Sequence, residues 1–302
     1  MDIGLYEKLE SAPLNARNLY QSYNLDEEVD RIAYHYEVAP EFFKRVTGGE
    51  WNVYSCSMWE DGFSLTQAQE KKLDEFARLM DLKPGMRILD VGCGWGGPLV
   101  YLCNKYGVSG HGITISPMAI PVAEERARKY GVNATFEVVH WKNLRSLQQF
   151  DCIYSDEVIV HFNDLDGFFK KANQLLKPGG VMVNKELHFR HSRHKHALDK
   201  LSQHINKVYA YTGNYRTLRD ELELLDRNAF QLEEIVDIPI ADYKKTIGEH
   251  WVKNLNDNRR ELEVMTSAQH VKDFKFYLRG ICTIFAAEVF GLHIVASRKT
   301  AF

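Results

Sequence analysis

Apolar positions follow two different spacings along this chain of 302 residues. Up to about Leu82 they recur every three or four residues, as at Leu73, Phe76 and Met80, which predicts helices packed by one face. Beyond that point, short β-branched runs alternate with amphipathic helical segments. We expect strands at Ile88–Val91, Val108–Ile115, Ala134–Val139, Phe150–Tyr154 and Val181–Lys185. Strands alternating with helices predict a parallel, doubly wound sheet with right-handed crossovers.

The alternation stops at Glu186, and a mostly helical pattern follows. A helix at Leu218–Asn228, a strand at Phe230–Ile238, helical segments at 241–265 and 271–289, and an edge strand at Leu292–Ser297 complete the prediction. We therefore expect a single α/β domain with a mostly parallel seven-stranded sheet. Its predicted parts are a helical N-terminal cap (1–82), a ligand-binding core (83–186), a helical insertion (187–217) and a C-terminal completion of the sheet (218–302).

A glycine-rich turn follows the first predicted strand. Gly92, Gly94 and Gly97 satisfy the pattern G-x-G-x-x-G, and helical spacing resumes at Leu99. Backbone without side chains lets a loop approach a ligand closely, and the helix N-terminus behind it favours a hydrogen-bond-accepting group. The same pattern is compatible with a plain turn, but we interpret it as a nucleotide-type site. Because ligands of such sheets bind beyond the carboxyl ends of the strands, the residues after each strand are candidates.

Composition limits the function. The net charge of −3 with mixed signs gives no general attraction to nucleic acid. Five cysteines without a C-x-x-C pair predict neither a disulfide framework nor a zinc site, and favour a reducing, cytoplasmic location. We expect no signal peptide and no stable membrane insertion, because the run Gly280–Ala296 is interrupted by Glu288 and His293. A homo-oligomer is compatible with the sequence.

Several motifs together resemble class I S-adenosylmethionine-dependent methyltransferases, and more narrowly the cyclopropane-fatty-acid-synthase family. The shared segments are His35-Tyr36, Phe42-Phe43, Tyr54-Ser55-Cys56, Leu82–Met86, Leu89–Gly96, Gly112–Ser116, Trp141 and Leu176–Gly180. The resemblance implies a Rossmann-like fold with S-adenosylmethionine as cofactor. It places the methionine part against Gly92, Gly94 and Trp95 with support from Asp90, and the ribose and adenine beside Thr114, Ile115, Ser116 and Trp141. Tyr54 and Ser55 would reach over from the cap, and Asp156 completes the set.

The sequence departs from this family at its anion site. Cyclopropane synthases of the family hold a bicarbonate ion with a Cys, a Glu, a His and a Tyr. Cys56 and Tyr243 match two of these positions, whereas Val160 and Lys185 stand where the family has Glu and His. The sequence therefore disfavours bicarbonate binding and cyclopropanation.

A carboxylate pair, Asp156-Glu157, follows the fourth strand. Here the sequence is similar to terpenoid-diphosphate and indole-terpenoid C-methyltransferases, some of which place a Glu beside an alkene acceptor. Methylating an alkene creates a carbocation that a carboxylate can stabilise and deprotonate. We predict Glu157 as the base, with its pKa raised by Asp156 and the aromatic cap. His161 and Tyr243 are rival bases, and a solvated or salt-bridged loop acid is the alternative for Glu157.

The predicted function is C-methylation of a small lipophilic, terpenoid-like acceptor in specialised metabolism. Alternatives are N-methylation of a small amine and cyclopropanation of lipid acyl chains. A nicotinamide-dependent dehydrogenase is disfavoured, because the second strand ends in Thr114-Ile115-Ser116 and not in an acidic residue. The basic stretch His188–Lys200 is either a solvated helical face or a rim that attracts an anionic acceptor, and we predict no metal site there.

Overall fold

The computed structural model describes residues 29–30, 40–196 and 214–300. Most of the predicted cap before Pro40, and residues 197–213 of the predicted insertion, lie outside the described residues. In the described part, one twisted sheet carries helices on both faces. The strands are β1 (Arg87–Val91), β2 (Ser109–Thr114), β3 (Ala134–Val138), β4 (Phe150–Asp156), β5 (Leu176–Phe189), β6 (Arg216–Thr217), β7 (Phe230–Ile238) and β8 (Phe290–Lys299).

The strand order is β3-β2-β1-β4-β5-β8-β7, and the two-residue β6 pairs with the end of β5. Strands β1 to β5 are mutually parallel, whereas β8 runs antiparallel to both of its neighbours. The prediction of a mostly parallel, doubly wound sheet is thus confirmed, with β6 as an addition to the seven expected strands. Strand order reverses between β1 and β4, and a crevice for a ligand opens at such a switch.

The sequence predicted the last strand at the edge of the sheet, but in the structure this strand lies inside the sheet. Strand β8 lies between β5 and β7, and its residues Ile294, Val295 and Ala296 are all buried. Strand β7 takes the edge and leaves most of its side chains exposed. The expectation was wrong because local spacing reports burial on each face of a strand but does not report which strands are its neighbours.

Helices cover both faces. They are α1 (Pro40–Thr47), α2 (Leu65–Leu79), α3 (Gly97–Tyr106), α4 (Ala119–Tyr130), α5 (Leu165–Leu175), α6 (Leu218–Arg227), α7 (Ile240–Tyr243), α8 (Val252–Asp257), α9 (Arg259–Met265) and α10 (Ala268–Ala286). Ser64 begins α2 with a capping box completed by Gln67, and Thr217 begins α6 in the same way with Asp220. None of the described helices is long and apolar enough to cross a membrane.

An eight-residue π-helix, Lys244–Trp251, joins α7 to α8. Thr246, Ile247 and Trp251 are buried, and two of them contact the segment that precedes α2: Thr246 through Ser57 and Trp251 through Tyr54. Wide turns of this kind are rare and recur at functional sites. Alternate residues of β4 feed two separate cores, with Tyr154 packed on the face covered by α2 and Ile153 on the face covered by α5.

Candidate active site

A cavity of about 1150 Å³, counting its open mouth, lies at the carboxyl ends of β1, β2 and β4. Thirteen of the fourteen site residues proposed from the sequence line it, and Tyr243 is the exception. They are Tyr54, Ser55, Asp90, Gly92, Gly94, Trp95, Thr114, Ile115, Ser116, Trp141, Asp156, Glu157 and His161. The cavity lies at the switch in strand order, where a ligand was expected.

The glycine-rich loop forms the floor of the cavity. The backbone N–H groups of Gly92 and Cys93 donate to the carbonyl oxygen of Ile113 at 2.9 and 3.0 Å, which ties the loop to β2. Gly94 has a φ of +49°, and a Cβ atom there would meet nothing within 4 Å. At Gly92 a Cβ atom would lie 2.6 Å from the side chain of Val158. Gly94 therefore leaves space for a ligand, whereas Gly92 permits close packing.

Residues 51–59, called the cap segment below, approach the first turn of α3 so closely that backbone meets backbone. A Cβ atom at Gly97 would lie 1.7 Å from the carbonyl oxygen of Trp51. Only glycine fits such an approach. The contact sets the path of the chain from Trp51 to Ser55, so that Tyr54 and Ser55 reach the cavity opposite the glycine-rich loop.

The side of the cavity that carries Trp141, where the resemblance places adenine, is aromatic. Trp141 packs against Phe162 and Phe168, with ring centroids 5.6 and 5.5 Å apart. Its buried Nε1–H has no hydrogen-bond partner within the described residues, so it can donate to a heterocyclic nitrogen. Thr114 Oγ1 accepts from the backbone N–H of Ser116 at 3.1 Å, which orders the turn after β2. The free space at Gly94, the unpaired indole donor and an acidic wall fit a sulfonium nucleoside.

Two fully buried lysines neutralise the predicted carboxylate pair. Lys72 on α2 and Lys185 on β5 each bind Asp156, with Lys185 Nζ 3.0 Å from Oδ1 and Lys72 Nζ on Oδ2. Ser55 Oγ also donates to Oδ2, at 2.6 Å. Lys185 Nζ forms a second ion pair with Glu157 Oε1. Both lysine side chains are 0% exposed, so this is a charge-balanced quartet in which the cations are buried and the carboxylates face the cavity.

At Asp156 the neighbouring cations act against the increase in pKa that two adjacent carboxylates would cause, whereas the expectation for Glu157 stays a prediction. Burial alone would raise the pKa of Asp156, but the Lys185 and Lys72 ammonium groups outweigh it and lower that pKa to about 2. Sequence spacing concealed both partners, since Lys72 is 84 residues from Asp156 and Lys185 is 29. One signal was present: Lys72 shares its helix face with the apolar Ala68 and Phe76, where a buried lysine requires an anion.

Glu157 is held in an unusual backbone conformation. Its φ is +57°, in the left-handed region, and its N–H donates to the carbonyl oxygen of Lys185 at 2.7 Å. Oε1 also accepts from the backbone N–H of Cys56 at 2.8 Å. Within the described residues nothing donates to Oε2 of this cavity-lining carboxylate. One oxygen is therefore anchored, and the other remains for a ligand.

The two rival bases occupy different surroundings. His161 ends a short turn, Ile159–His161, at the cavity wall, and burial lowers the pKa of its imidazole to about 4. It is therefore neutral near pH 7. Tyr243 stacks on Phe285 with ring centroids 3.6 Å apart, and burial raises the pKa of its phenol well above the usual value. It lies behind Cys56 and Glu157, away from the cavity lining.

The start of the basic stretch is divided, because His188 and Phe189 are buried whereas Arg190 to Arg193 are exposed. His188 is buried on β5, where its Nε2 lies 2.6 Å from Glu221 Oε2 and its Nδ1 lies 3.1 Å from His293 Nδ1. It therefore takes part in an internal polar cluster, and does not form a rim for an anionic acceptor. The stretch beyond residue 196 lies outside the described residues.

Sequence reasoning also missed Thr246, on the π-helix. Its Oγ1 donates to the carbonyl oxygen of Asp242 at 2.8 Å. The same oxygen accepts from the backbone N–H of Ser57 at 3.2 Å and from the indole N–H of Trp59 at 2.8 Å. This hydroxyl therefore fixes the segment that carries Tyr54, Ser55 and Cys56. The spacing of apolar residues does not predict this role of Thr246, because the role depends on the π-helix and the spacing did not predict that helix.

Comparison with known proteins agrees with this geometry. The profile of the family described as mycolic acid cyclopropane synthetase matches residues 23–295. The cyclopropane-fatty-acyl-phospholipid synthase of Escherichia coli is 36% identical over 151 residues, 49% of this chain and 38% of that protein, so the match spans less than half of the relative. Cyclopropane mycolic acid synthase 1 of Mycobacterium tuberculosis is 28% identical over 274 residues, 83% of this chain and 90% of that protein.

A solved structure shares the fold. The mycolic acid cyclopropane synthase CmaA1, complexed with SAH and CTAB, superposes with a TM-score of 0.83 at 23% identity, covering 90% of this chain and 98% of that chain. The family profile covers most of the sequence. The chain therefore belongs to the mycolic acid cyclopropane synthetase family, and its cavity fits S-adenosylmethionine.

Proposed function

We propose that the protein transfers a methyl group to a carbon–carbon double bond of a lipophilic acceptor, with Glu157 as the carboxylate that faces the reacting carbons. The observation that carries the proposal is the asymmetry of this side chain. Oε1 is bound by Lys185 and by the N–H of Cys56, whereas Oε2 has no donor among the described residues and belongs to a cavity-lining group. A base held on one oxygen and available on the other suits proton acceptance.

The charge of the cavity supports an acceptor whose reacting part is uncharged. When bound, S-adenosylmethionine supplies an electrophilic methyl group on a sulfonium cation. Asp90, Asp156 and Glu157 line the cavity, and no lysine or arginine is among the described residues that line it. Lys72 and Lys185 balance the charges of Asp156 and Glu157 from behind this wall, so the described residues of the wall present no cation that would bind an anion beside the reacting carbon. An anionic group on the acceptor would have to lie outside this cavity.

Glu157 has two tasks in the step that follows. When one alkene carbon gains the methyl group through the π electrons, the neighbouring carbon becomes a cation, and the Oε2 carboxylate oxygen stabilises it. The same oxygen then accepts a proton, and the electron pair of the broken C–H bond forms the new carbon–carbon bond. A proton taken from the transferred methyl group gives a cyclopropane, whereas one taken from an adjacent carbon restores a double bond.

The relatives favour the first of these products. The E. coli relative is named as a cyclopropane-fatty-acyl-phospholipid synthase, and the similar solved structure holds CTAB, a detergent with a long alkyl chain. Cyclopropanation of a lipid acyl chain therefore has more support than the C-methylation of a terpenoid-like acceptor that the sequence predicted. The support for that C-methylation comes from Glu157 alone. N-methylation of an amine needs no carboxylate beside a carbocation.

A labelled methyl group separates these outcomes. The purified chain is incubated with S-adenosylmethionine carrying a trideuterated methyl group and, separately, with unsaturated phospholipid vesicles and with a prenyl diphosphate. Mass spectrometry of a cyclopropane shows two retained deuterium atoms, whereas a methylated alkene keeps all three. Transfer to amines with none to either alkene class would contradict the proposal.

The role of Glu157 is tested in the same assay. Glu157→Gln keeps the size of the side chain and removes its basicity, so kcat should fall by about 10²–10⁴-fold with little change in cofactor affinity. Glu288→Gln is the matched control, because Glu288 is an exposed glutamate with a similar φ of +55°, outside the cavity lining. His161→Ala and Tyr243→Phe are run beside it. If Glu157→Gln is active and His161→Ala is not, the base is the histidine.

A further inference from the structure

Lys185 contacts Glu157 through its backbone carbonyl group and also through its side-chain ammonium group. Its carbonyl oxygen accepts the N–H of Glu157 at 2.7 Å, and its ammonium group binds Glu157 Oε1. The same ammonium lies 3.0 Å from Asp156 Oδ1, which keeps the lysine from swinging away. Because the side chain is 0% exposed, water does not compete for these contacts.

We propose that Lys185 is a positioning residue that selects which oxygen of Glu157 faces the acceptor; this rests on the proposed function of Glu157. The left-handed backbone of Glu157 directs its side chain away from the line of β4, and two donors then hold Oε1. Oε2 is left as the reactive oxygen. Lys185 does not touch the reacting carbons in this arrangement, and acts through Glu157.

Lys72 provides a matched comparison. It is the other fully buried lysine of the quartet, and it binds Asp156 and Ser55 but makes no hydrogen bond to Glu157. Lys72→Met and Lys185→Met each remove one buried cation from a balanced cluster, so each should lower stability. Only Lys185→Met should free Glu157 Oε1.

The test is a double-mutant cycle with Glu157→Gln. We expect Lys185→Met to lower kcat by about 10²-fold in the wild-type background, as displacement of a reacting group does. In the Glu157→Gln background the further loss should be less than about threefold, because the residue through which Lys185 acts is already disabled. Lys72→Met should cost the same factor in both backgrounds. Equal losses from Lys185→Met in both backgrounds would overturn the proposal.

A pH profile adds a readout that a purely structural lysine would not move. Groups that face the pair are Asp156 on β4, Lys72 on α2, Cys56 before α2, Tyr243 on α7 and Glu186 on β5. Loss of the ammonium removes a cation that stabilises the charged carboxylates beside it, so the acidic limb of kcat should move to higher pH in Lys185→Met. A smaller shift is expected for Lys72→Met.

Two results separate this proposal from the function on which it rests. If Glu157→Gln keeps its kcat, the proposed role of Glu157 fails, and that of Lys185 fails with it. If Glu157→Gln is impaired but Lys185→Met is additive, only the role of Lys185 fails. Should Lys185→Met not fold, Lys185→Gln replaces it in the cycle. A crystal structure of the wild-type chain with S-adenosylhomocysteine should show Nζ bound to Oε1, and a separated pair would overturn the proposal.

Discussion

Tyr154 donates its buried hydroxyl to Asp90 Oδ2 at 2.7 Å, joining the neighbouring strands β4 and β1 beneath the cofactor cavity. Burial raises the pKa of Asp90 to about 7, although the bond from Tyr154 opposes the shift. The folded protein therefore retains a proton on Asp90 that the unfolded chain has released above its ordinary pKa of 3.8. The free energy of unfolding should fall as pH rises between these two values, and the loss should be complete above the higher one.

Asp90→Asn removes this titration while keeping an oxygen that can accept from Tyr154. Relative to wild type, the variant should gain roughly 1–4 kcal/mol of stability between about pH 4 and pH 8. Urea unfolding at a series of pH values measures the difference. If the difference in the free energy of unfolding between wild type and Asp90→Asn stays constant with pH, Asp90 is ionised in the folded protein.

Gly94→Val should abolish cofactor binding and leave the fold largely intact. The position has open space where the side chain would project, and that space belongs to the cavity. Gly131→Val is the matched control, because Gly131 also has a positive φ and free space around its Cβ position, but it ends α4 away from the cavity. Both variants bear backbone strain of about 1–2 kcal/mol. Isothermal titration with S-adenosylhomocysteine should show binding lost only in Gly94→Val.

Activity should not depend on bicarbonate. Glu157 supplies a built-in carboxylate, and Lys185, one of the residues that departs from the family's anion site, is occupied by ion pairs with Asp156 and Glu157. Burial raises the pKa of the Cys56 thiol to about 12, so it stays protonated. Turnover measured in rigorously degassed buffer should equal turnover with added bicarbonate. A rate lost on removal and restored on addition would show that an anion is the base.

Thr246→Val should disturb the cap segment more than its size suggests. The change leaves the N–H of Ser57 and the indole N–H of Trp59 without their shared acceptor, at a cost of about 1–3 kcal/mol for the buried Ser57 donor and less for the half-buried Trp59. Thermal unfolding should show a lower Tm, and kcat should fall because Cys56 shifts relative to Glu157. Thr246→Ser keeps the hydroxyl and serves as the control. Equal Tm values for both variants would contradict the assignment.

The sequence was most informative where a local pattern has only one structural solution. Glycines after a β-branched run predict the loop at Gly94, and the rule for parallel sheets brings Thr114, Trp141 and Glu157 to one cavity although they come from different segments. Helix and strand bounds followed from spacing to within a few residues for most described elements. Phe230–Ile238 has the predicted bounds.

The missing information concerned partners distant in the chain. Asp156 and Glu157 looked like two repelling anions because nothing near them in sequence supplies a cation, and only the folded chain brings Lys72 and Lys185 to them. The position of β8 was missed for a related reason, although the continuous apolar run Ile294–Ala296 is typical of a strand covered on both faces. The π-helix Lys244–Trp251 was not predicted, because apolar spacing over eight residues does not separate its wide turn from an α-helical one.

The backbone contact between Gly97 and Trp51 restricts how this sequence can change. Any side chain at position 97 would overlap a carbonyl oxygen, so the position accepts only glycine as long as the cap segment keeps its present path. If position 97 alone is randomised, every active clone should carry glycine there. Alternatives should be recovered only together with changes around Trp51 that move the segment leading to Tyr54 and Ser55. Substitutions at position 97 and in the segment around Trp51 are therefore expected to occur together.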